Sequence, residues 1–467
     1  MKYIKNFKNM LFVSFVSTLL VACGGGGGSS SVDSQSTTSL RVYHASPDAP
    51  LVNVWLDGKP ALTGVDYQQS SGALFVSEGV HSVQIDAILP DGSTLTVLPE
   101  TTLDLMADSE YNVIALGKAA LIGTGDEKAF APKIVAREQL SPSGARVQAI
   151  HAAPDAPMVD IFITAYNDDL TDAIPFADNV EYLAATEAVE VPAGDYQIRI
   201  TDANDPSVIY FDSGMVSVPA GGDWVAVATT NTGAGSSPVS LLVDTGDASL
   251  VVNDINNGAD IRVVHAISDA PDVDVWVNGT APTMESPLYD LGFKAFTDYI
   301  AVAAGDYTFN VAVNGSDPVA VVDALTLNAT LSAGNNYTAV AIGNLADGAE
   351  NEQLYVLEDN TRRIATAAKL RAFHASTLAG NVDIYLSSDS TPSADDVVLK
   401  DIPYKGDSGL LDVTPGEVYI MVTPAEDMNT IAIGPVMLEL SANSIYTLVA
   451  IDDNESASGV SVISLDD

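Results

Sequence analysis

Arg41-Val-Tyr-His-Ala-Ser-Pro-Asp-Ala-Pro-Leu-Val-Asn-Val-Trp55 recurs, with substitutions, three more times in this 467-residue chain. The other copies are Val147-Gln-Ala-Ile-His-Ala-Ala-Pro-Asp-Ala-Pro-Met-Val-Asp-Ile-Phe162, Arg262-Val-Val-His-Ala-Ile-Ser-Asp-Ala-Pro-Asp-Val-Asp-Val-Trp276 and Arg371-Ala-Phe-His-Ala-Ser-Thr-Leu-Ala-Gly-Asn-Val-Asp-Ile-Tyr385. Four of the five histidines of the chain, His44, His151, His265 and His374, occupy the same place in the motif. Such a period of about a hundred residues marks tandem units. Val52, Val54 and Leu56 alternate with Asn53, Trp55 and Asp57, and the same alternation holds at Val273, Val275 and Val277 and at Val382, Ile384 and Leu386. A period of two is that of a strand with one buried face.

Two further signatures follow in each unit. Glu78-Gly79-Val80-His81, Pro192-Ala-Gly-Asp-Tyr196, Ala303-Ala-Gly-Asp-Tyr307 and Thr414-Pro-Gly-Glu-Val418 read as a turn entering a strand. Tyr111-Asn-Val-Ile-Ala115, Trp224-Val-Ala-Val-Ala228, Tyr337-Thr-Ala-Val-Ala341 and Tyr446-Thr-Leu-Val-Ala450 read as an apolar strand led by an aromatic. Short strands separated by turn residues predict an all-β chain of four tandem, loosely immunoglobulin-like sandwiches. The expected units are 39–141, 142–255, 256–365 and 366–467. Helical periodicity is suggested only at Thr361 to Leu370.

The first 22 residues read as a signal peptide. Lys2, Lys5 and Lys8 precede an apolar run from Met10 to Ala22, which at 1.5 Å per residue is too short for a roughly 30 Å hydrocarbon core. Leu20-Val21-Ala22-Cys23 resembles a bacterial lipobox, which implies lipidation of Cys23 and a membrane partner through that anchor. Gly24 after the cysteine resembles the sorting pattern of outer-membrane lipoproteins. Residues 23–38 open with a Gly/Ser run expected to act as a flexible tether.

The repeat motif resembles the bacterial family called domain of unknown function 4397, whose members look like secreted or lipid-anchored proteins with repeated β domains. Copy four departs from the pattern, with Leu378 and Gly380 in place of the acid and the second proline. The resemblance supplies no activity.

Composition narrows function by exclusion. Sixty-two acids against 19 bases give a formal charge of −43, so nucleic acid is not an expected partner. One cysteine builds neither a disulfide within the chain nor a cysteine metal site. Gly-x-Ser-x-Gly, phosphate-loop, dinucleotide and His-Glu-x-x-His patterns are absent from the sequence. A non-catalytic envelope spacer, or a module binding an envelope or extracellular ligand, is therefore expected, without a cofactor. The alternatives are a calcium-stiffened adhesive rod and a hydrolase using His/Asp pairs. The motif residues His44, Asp48, His151, Asp155, Asp160, His265, Asp269, Asp274, His374 and Asp383 are expected to hold loops by hydrogen bonds to nearby groups. Trp55, Phe162, Trp276 and Tyr385 are expected to be buried, each supporting a unit that folds independently. Asp202-Ala-Asn-Asp-Pro206 superficially resembles a calcium linker, but its place in the repeat predicts a hairpin turn.

Overall fold

The computed structural model describes residues 37–316, 325–347 and 352–466. Within them the chain is all-β apart from short 3-10 turns, and its paired sheets form four sandwich-like units. The signal peptide, Cys23 and the tether through residue 36 lie outside the described residues. Unit one contains β1 (Thr37–His44), β2 (Val52–Leu56), β3 (Lys59–Val65), β4 (Leu74–Ser77), β5 (Gly79–Ile88), β6 (Thr94–Leu105), β7 (Ser109–Leu116) and β8 (Ala131–Glu138). Thr37 and Thr38, expected in the tether, already belong to β1.

One sheet of unit one has the order β4-β1-β7-β8 and the other β3-β2-β5-β6. The plan returns in the later units, with an added strand Ser249–Val252 in unit two and a three-stranded second sheet among the described residues of unit three. In every unit the strand carrying the motif histidine pairs in parallel with the aromatic-led strand. The immunoglobulin likeness thus stops at the sandwich, because the all-antiparallel sheets of that fold have no such central parallel pair. Thr361 to Leu370 is not helical: an irregular stretch with a turn at Ala365–Thr366 leads into the strand Ala368–His374. Its non-local partners outweigh its local periodicity. Gly194–Asp202 and Asp205–Val218 form the expected hairpin, and the Asp202 carboxylate accepts the Asn204 N–H at 2.9 Å.

The units are not beads on a string. In β1 and β7, Leu40, Val42, Tyr111 and Val113 face the sandwich interior of unit one. Their neighbours of opposite parity, Tyr43, Ile114 and Leu116, pack with Ile150, Val225, Val227 and Leu242 of unit two in a second core. Val264, Val340 and Ile342 of unit three likewise meet Phe373, Val449 and Ile451 of unit four, where Tyr355 and Phe373 stack with ring centroids 5.0 Å apart. Strands buried on both faces read as nearly continuous apolar runs, which explains Tyr111-Asn-Val-Ile-Ala115 and its counterparts.

Arginines close the rims of these contacts. Arg41 Nη1 donates to Asp244 at 3.3 Å, Arg137 Nη2 reaches Glu110 at 2.6 Å and Asp223 at 3.0 Å, and Arg371 Nη1 reaches Asp359 at 2.8 Å. Further contacts join the two pairs. Ala234 N–H donates to Gly334 O at 2.9 Å, and a Cβ on Gly233 would lie 2.1 Å from that same oxygen, so glycine is required there. Arg362, between units three and four, donates to Ala49 O at 2.8 Å, pairs with Asp66 and lies over the Tyr67 ring. Units one to two, two to three, three to four and the last junction back to one therefore close a ring. This corrects both the independent-unit and the linear-rod expectations.

Candidate functional site

The four motif histidines repeat one geometry. Nε2 of His44, His151 and His265 lies 3.0, 3.1 and 3.1 Å from the carbonyl oxygens of Pro50, Pro157 and Pro271, and that of His374 lies 2.7 Å from Gly380 O. Each acceptor is six residues downstream, so the ring ties off its own loop. In the last three copies Nδ1 accepts the backbone N–H two residues on. A ring that donates at Nε2 and accepts at Nδ1 is neutral. Each ring also meets an aromatic edge-on: Tyr67, Tyr182, Phe293 or Tyr404. Burial lowers all four histidine pKa values, that of His44 to about 4.

The motif carboxylates bind backbone or neighbouring lysines. Asp48 accepts the N–H groups of Ala119 and Ala120 at 2.6 and 3.0 Å. Asp269 does the same for Leu345 and Ala346, both at 2.9 Å. Asp155 instead pairs with Lys118 of unit one at 2.6 Å, crossing the inter-unit contact. Copy four, which lacks the loop acid, receives one from the end of the strand Ser444–Asp452: Asp452 binds Ser376 Oγ, Thr377 N–H and Leu378 N–H. The second motif acid also serves neighbouring backbone. Asp160 accepts Asn179 N–H, Asp274 accepts those of Asp290 and Gly315, and Asp383 accepts those of Asp401 and Glu426.

The aromatic position differs from expectation. Its parity points away from the sandwich cores, which use Val52, Val54, Val273 and Val275. Phe162 and Tyr385 are buried, but Trp55 and Trp276 are only half-buried. The connection after the strand accounts for the division. Units one and three turn back at Asp57-Gly58 and Asn278-Gly279, whereas 166–176 and 388–396 are long connections. In unit two Arg199 donates to Asp168 O at 2.6 Å and holds that connection near the sheet. The indole N–H groups of Trp55 and Trp276 have no hydrogen-bond partner. A surface cavity of about 160 Å³ is lined by Trp55, Gly58, Ser82, Gln84 and Glu100. A second, of about 250 Å³ and lined by Asn231, Asn253, Asn335, Asn336, Glu358 and other polar groups, opens where units two and three meet.

Sequence reasoning missed one His/Asp pair, formed by the fifth histidine. His81 Nδ1 lies 2.8 Å from Asp57 Oδ2, and Nε2 lies 3.5 Å from Ser77 Oγ but only 2.9 Å from Ser77 O. Both nitrogens thus face acceptors, which favours the imidazolium, and the Asp57 hydrogen bond raises the His81 pKa. A ring protonated at both nitrogens has no lone pair with which to activate the serine. The only sequence signal was that His81 enters a strand opposite the Asp57-Gly58 turn. Ser46, two residues after a motif histidine, donates to Gly117 O at 2.5 Å. Among the described residues, no three His, Cys, Asp or Glu side chains form a group suited to a metal ion.

The family model described as "Domain of unknown function (DUF4397)" matches residues 38–162, 145–253 and 259–385. The chain belongs to that family. The third DUF4397 match takes in the first two strands of unit four, up to Tyr385. A comparison with curated proteins finds no match. Among solved structures, the Bacillus anthracis TIE protein is 9% identical with a TM-score of 0.17, the match covering 86% of this chain and 66% of that one, just under two thirds. A family 41 carbohydrate-binding module from streptococcal virulence factors, titled for alpha-glucan recognition, is 13% identical with a TM-score of 0.16, covering 41% and 93%. A streptococcal ancillary pilin is 11% identical with a TM-score of 0.12, covering 63% and 95%. TM-scores this low transfer neither fold nor function.

Proposed function

We propose that this chain is a non-catalytic, lipid-anchored protein of the bacterial outer membrane that binds a ligand on the outer sheets of units one and three. The observation carrying the reading is the contrast within the motif. Its histidines and most of its acids bind neighbouring backbone, while Trp55 and Trp276 remain only half-buried on the outer sheets. A flat aromatic beside Gln84, Ser82 and Glu100 suits a saccharide, which offers C–H faces for stacking and hydroxyls for hydrogen bonds. A cell-surface glycan is the ligand class this chemistry fits best.

The test compares soluble Cys23→Ser protein with its Trp55→Ala/Trp276→Ala derivative on arrays of envelope and extracellular glycans. Binding that weakens at least tenfold in the double variant, with unchanged melting, supports the reading. Undiminished binding, or no binding to any glycan, contradicts it. The anchor is tested separately: Cys23→Ser should move the protein from the membrane to the soluble fraction without altering its melting. A Cys23→Ser protein that still sediments with membranes in high salt contradicts the lipobox.

A further inference from the structure

Unit one differs from its sisters at one pole, and the difference is apolar. Phe75 on β4 sits opposite Ser39, five residues before the motif histidine. The corresponding positions in the other units hold Glu190, Ala301 and Asp412. Val80 follows the glycine that opens β5, where the others have Asp195, Asp306 and Glu417. Met106 follows the last residue of β6, where the others have Pro219, Ser332 and Ser441. Phe75, Val80 and Met106 are 68%, 69% and 66% exposed with all four units in place. Leu140, 45% exposed, stands just past the end of β8, beside the loop that carries Met106. Three polar or small positions have become large and apolar in this unit alone.

This is also the pole at which the chain enters the fold, because Thr37 pairs with Ser77. Thirteen residues lie between Cys23 and Thr37, so even a fully extended chain keeps them within about 50 Å. We infer that the Phe75–Val80–Met106 pole of unit one rests on the lipid surface that holds the anchor, its side chains entering the interface. The inference builds on the lipid-anchor reading of Cys23. Phe75 and Val80 belong to the two different sheets and flank this end of the sandwich from either side, and an interfacial surface binds in proportion to the apolar area it buries. Glu78, Asp104, Asp108 and Glu138 surround the pole. The surface it fits is therefore zwitterionic rather than anionic.

The test places a fluorophore on the lipidated full chain through Glu78→Cys, whose thiol is free while that of Cys23 carries lipid. The control is Glu417→Cys at the corresponding turn of unit four. Both proteins are reconstituted in phosphatidylcholine vesicles containing a headgroup spin-labelled lipid. Quenching at 78 should exceed that at 417 severalfold. It should drop severalfold when Phe75→Glu, Val80→Asp and Met106→Ser restore the polar pattern of the other units, and fall when phosphatidylglycerol is added. Met106→Ser alone, in an exposed turn, should give part of the loss at unchanged melting, which guards against misfolding of the triple variant. Equal quenching at 78 and 417, or quenching indifferent to the triple variant, overturns the inference. Mass spectrometry of the N-terminal peptide reports on the anchor independently. If Cys23 is unacylated, the anchor reading fails. Vesicle quenching of the unlipidated chain carrying Cys23→Ser and Glu78→Cys then decides the pole by itself: persistence supports it, and absence overturns it.

Discussion

The two sheets of each unit have the same number of faces but different company. The sheet containing β1 and β7 is apolar on both sides, with Val42 and Val113 turned to its own sandwich and Tyr43 and Ile114 to unit two. The sheet containing β2 and β5 buries Val54 and Val83 on one side and leaves Trp55 half-buried on the other. The repeat thus separates its tasks by sheet. Inner sheets join the units in pairs, and outer sheets are free to diversify, as Trp55 and Trp276 do relative to Phe162 and Tyr385. Stability should respond accordingly.

A charge placed on an inner sheet should have the largest effect. Val227 is fully buried between units one and two, and an unpaired buried carboxylate costs several kcal/mol. Val227→Asp should lower unfolding free energy by about 4 kcal/mol or more in urea titrations. Met215→Asp, on the outer-sheet strand of the same unit and 59% exposed, should stay within about 0.5 kcal/mol of wild type. Similar losses for the two would erase the distinction between sheets.

Acid should act next, through the motif histidines. The folded pKa of His44 is depressed to about 4 by burial, below the unfolded value near 6.5. Between these values the unfolded chain binds the proton that the folded ring refuses. The stability this ring gives is therefore complete above about pH 6.5 and is lost as pH falls through about 4, amounting to about 3 kcal/mol. His81, raised by Asp57, has the opposite sign: its contribution is present below its unfolded pKa and is lost as pH rises through the folded one. Melting of wild type against His44→Gln from pH 7 to pH 4 isolates the first term. A difference independent of pH would contradict it.

Smaller still is the loop of copy four. Asp452→Ala strips the acceptor from two backbone N–H groups and two hydroxyls and should cost about 1–3 kcal/mol. On the outer sheet, Trp276→Ala should cost less than the 3–5 kcal/mol of a fully buried aromatic, because the ring is only half-buried. Phe373→Ala, between units three and four, should reach that full range. Chemical denaturation of the two variants side by side measures the ratio.

The repeat, its strands and the inward set Val52, Val54 and Leu56 were legible because a two-residue period is local information. The hairpin at Asp202 was legible from its place in the repeat, where the other copies also carry turn residues. The inter-unit cores were written in the sequence as unbroken runs such as Ile114-Ala115-Leu116, but such a run does not name its partner. Tyr43 meeting Val227 is a fact of assembly. The same limit hid Asp452, which serves copy four from 74 to 76 residues away, and hid Arg362, which reaches Ala49 across 313 residues. The burial expected of Trp55 failed because parity places it outside the sandwich, and only the length of the following connection decides whether such a ring is covered.

Hydrogen exchange of the full chain, wild type beside Tyr43→Ala, tests the pairing of units most directly. Tyr43 belongs to unit one, is fully buried and donates its hydroxyl to Asn112 at 3.2 Å within the contact with unit two. If the inner sheets form one cooperative core, Tyr43→Ala should speed exchange in β1 and β7 and equally in Asp223–Thr230 and Val239–Asp244 of unit two, whose sequence is untouched. Protection lost in unit one and fully retained in those two strands would contradict the account.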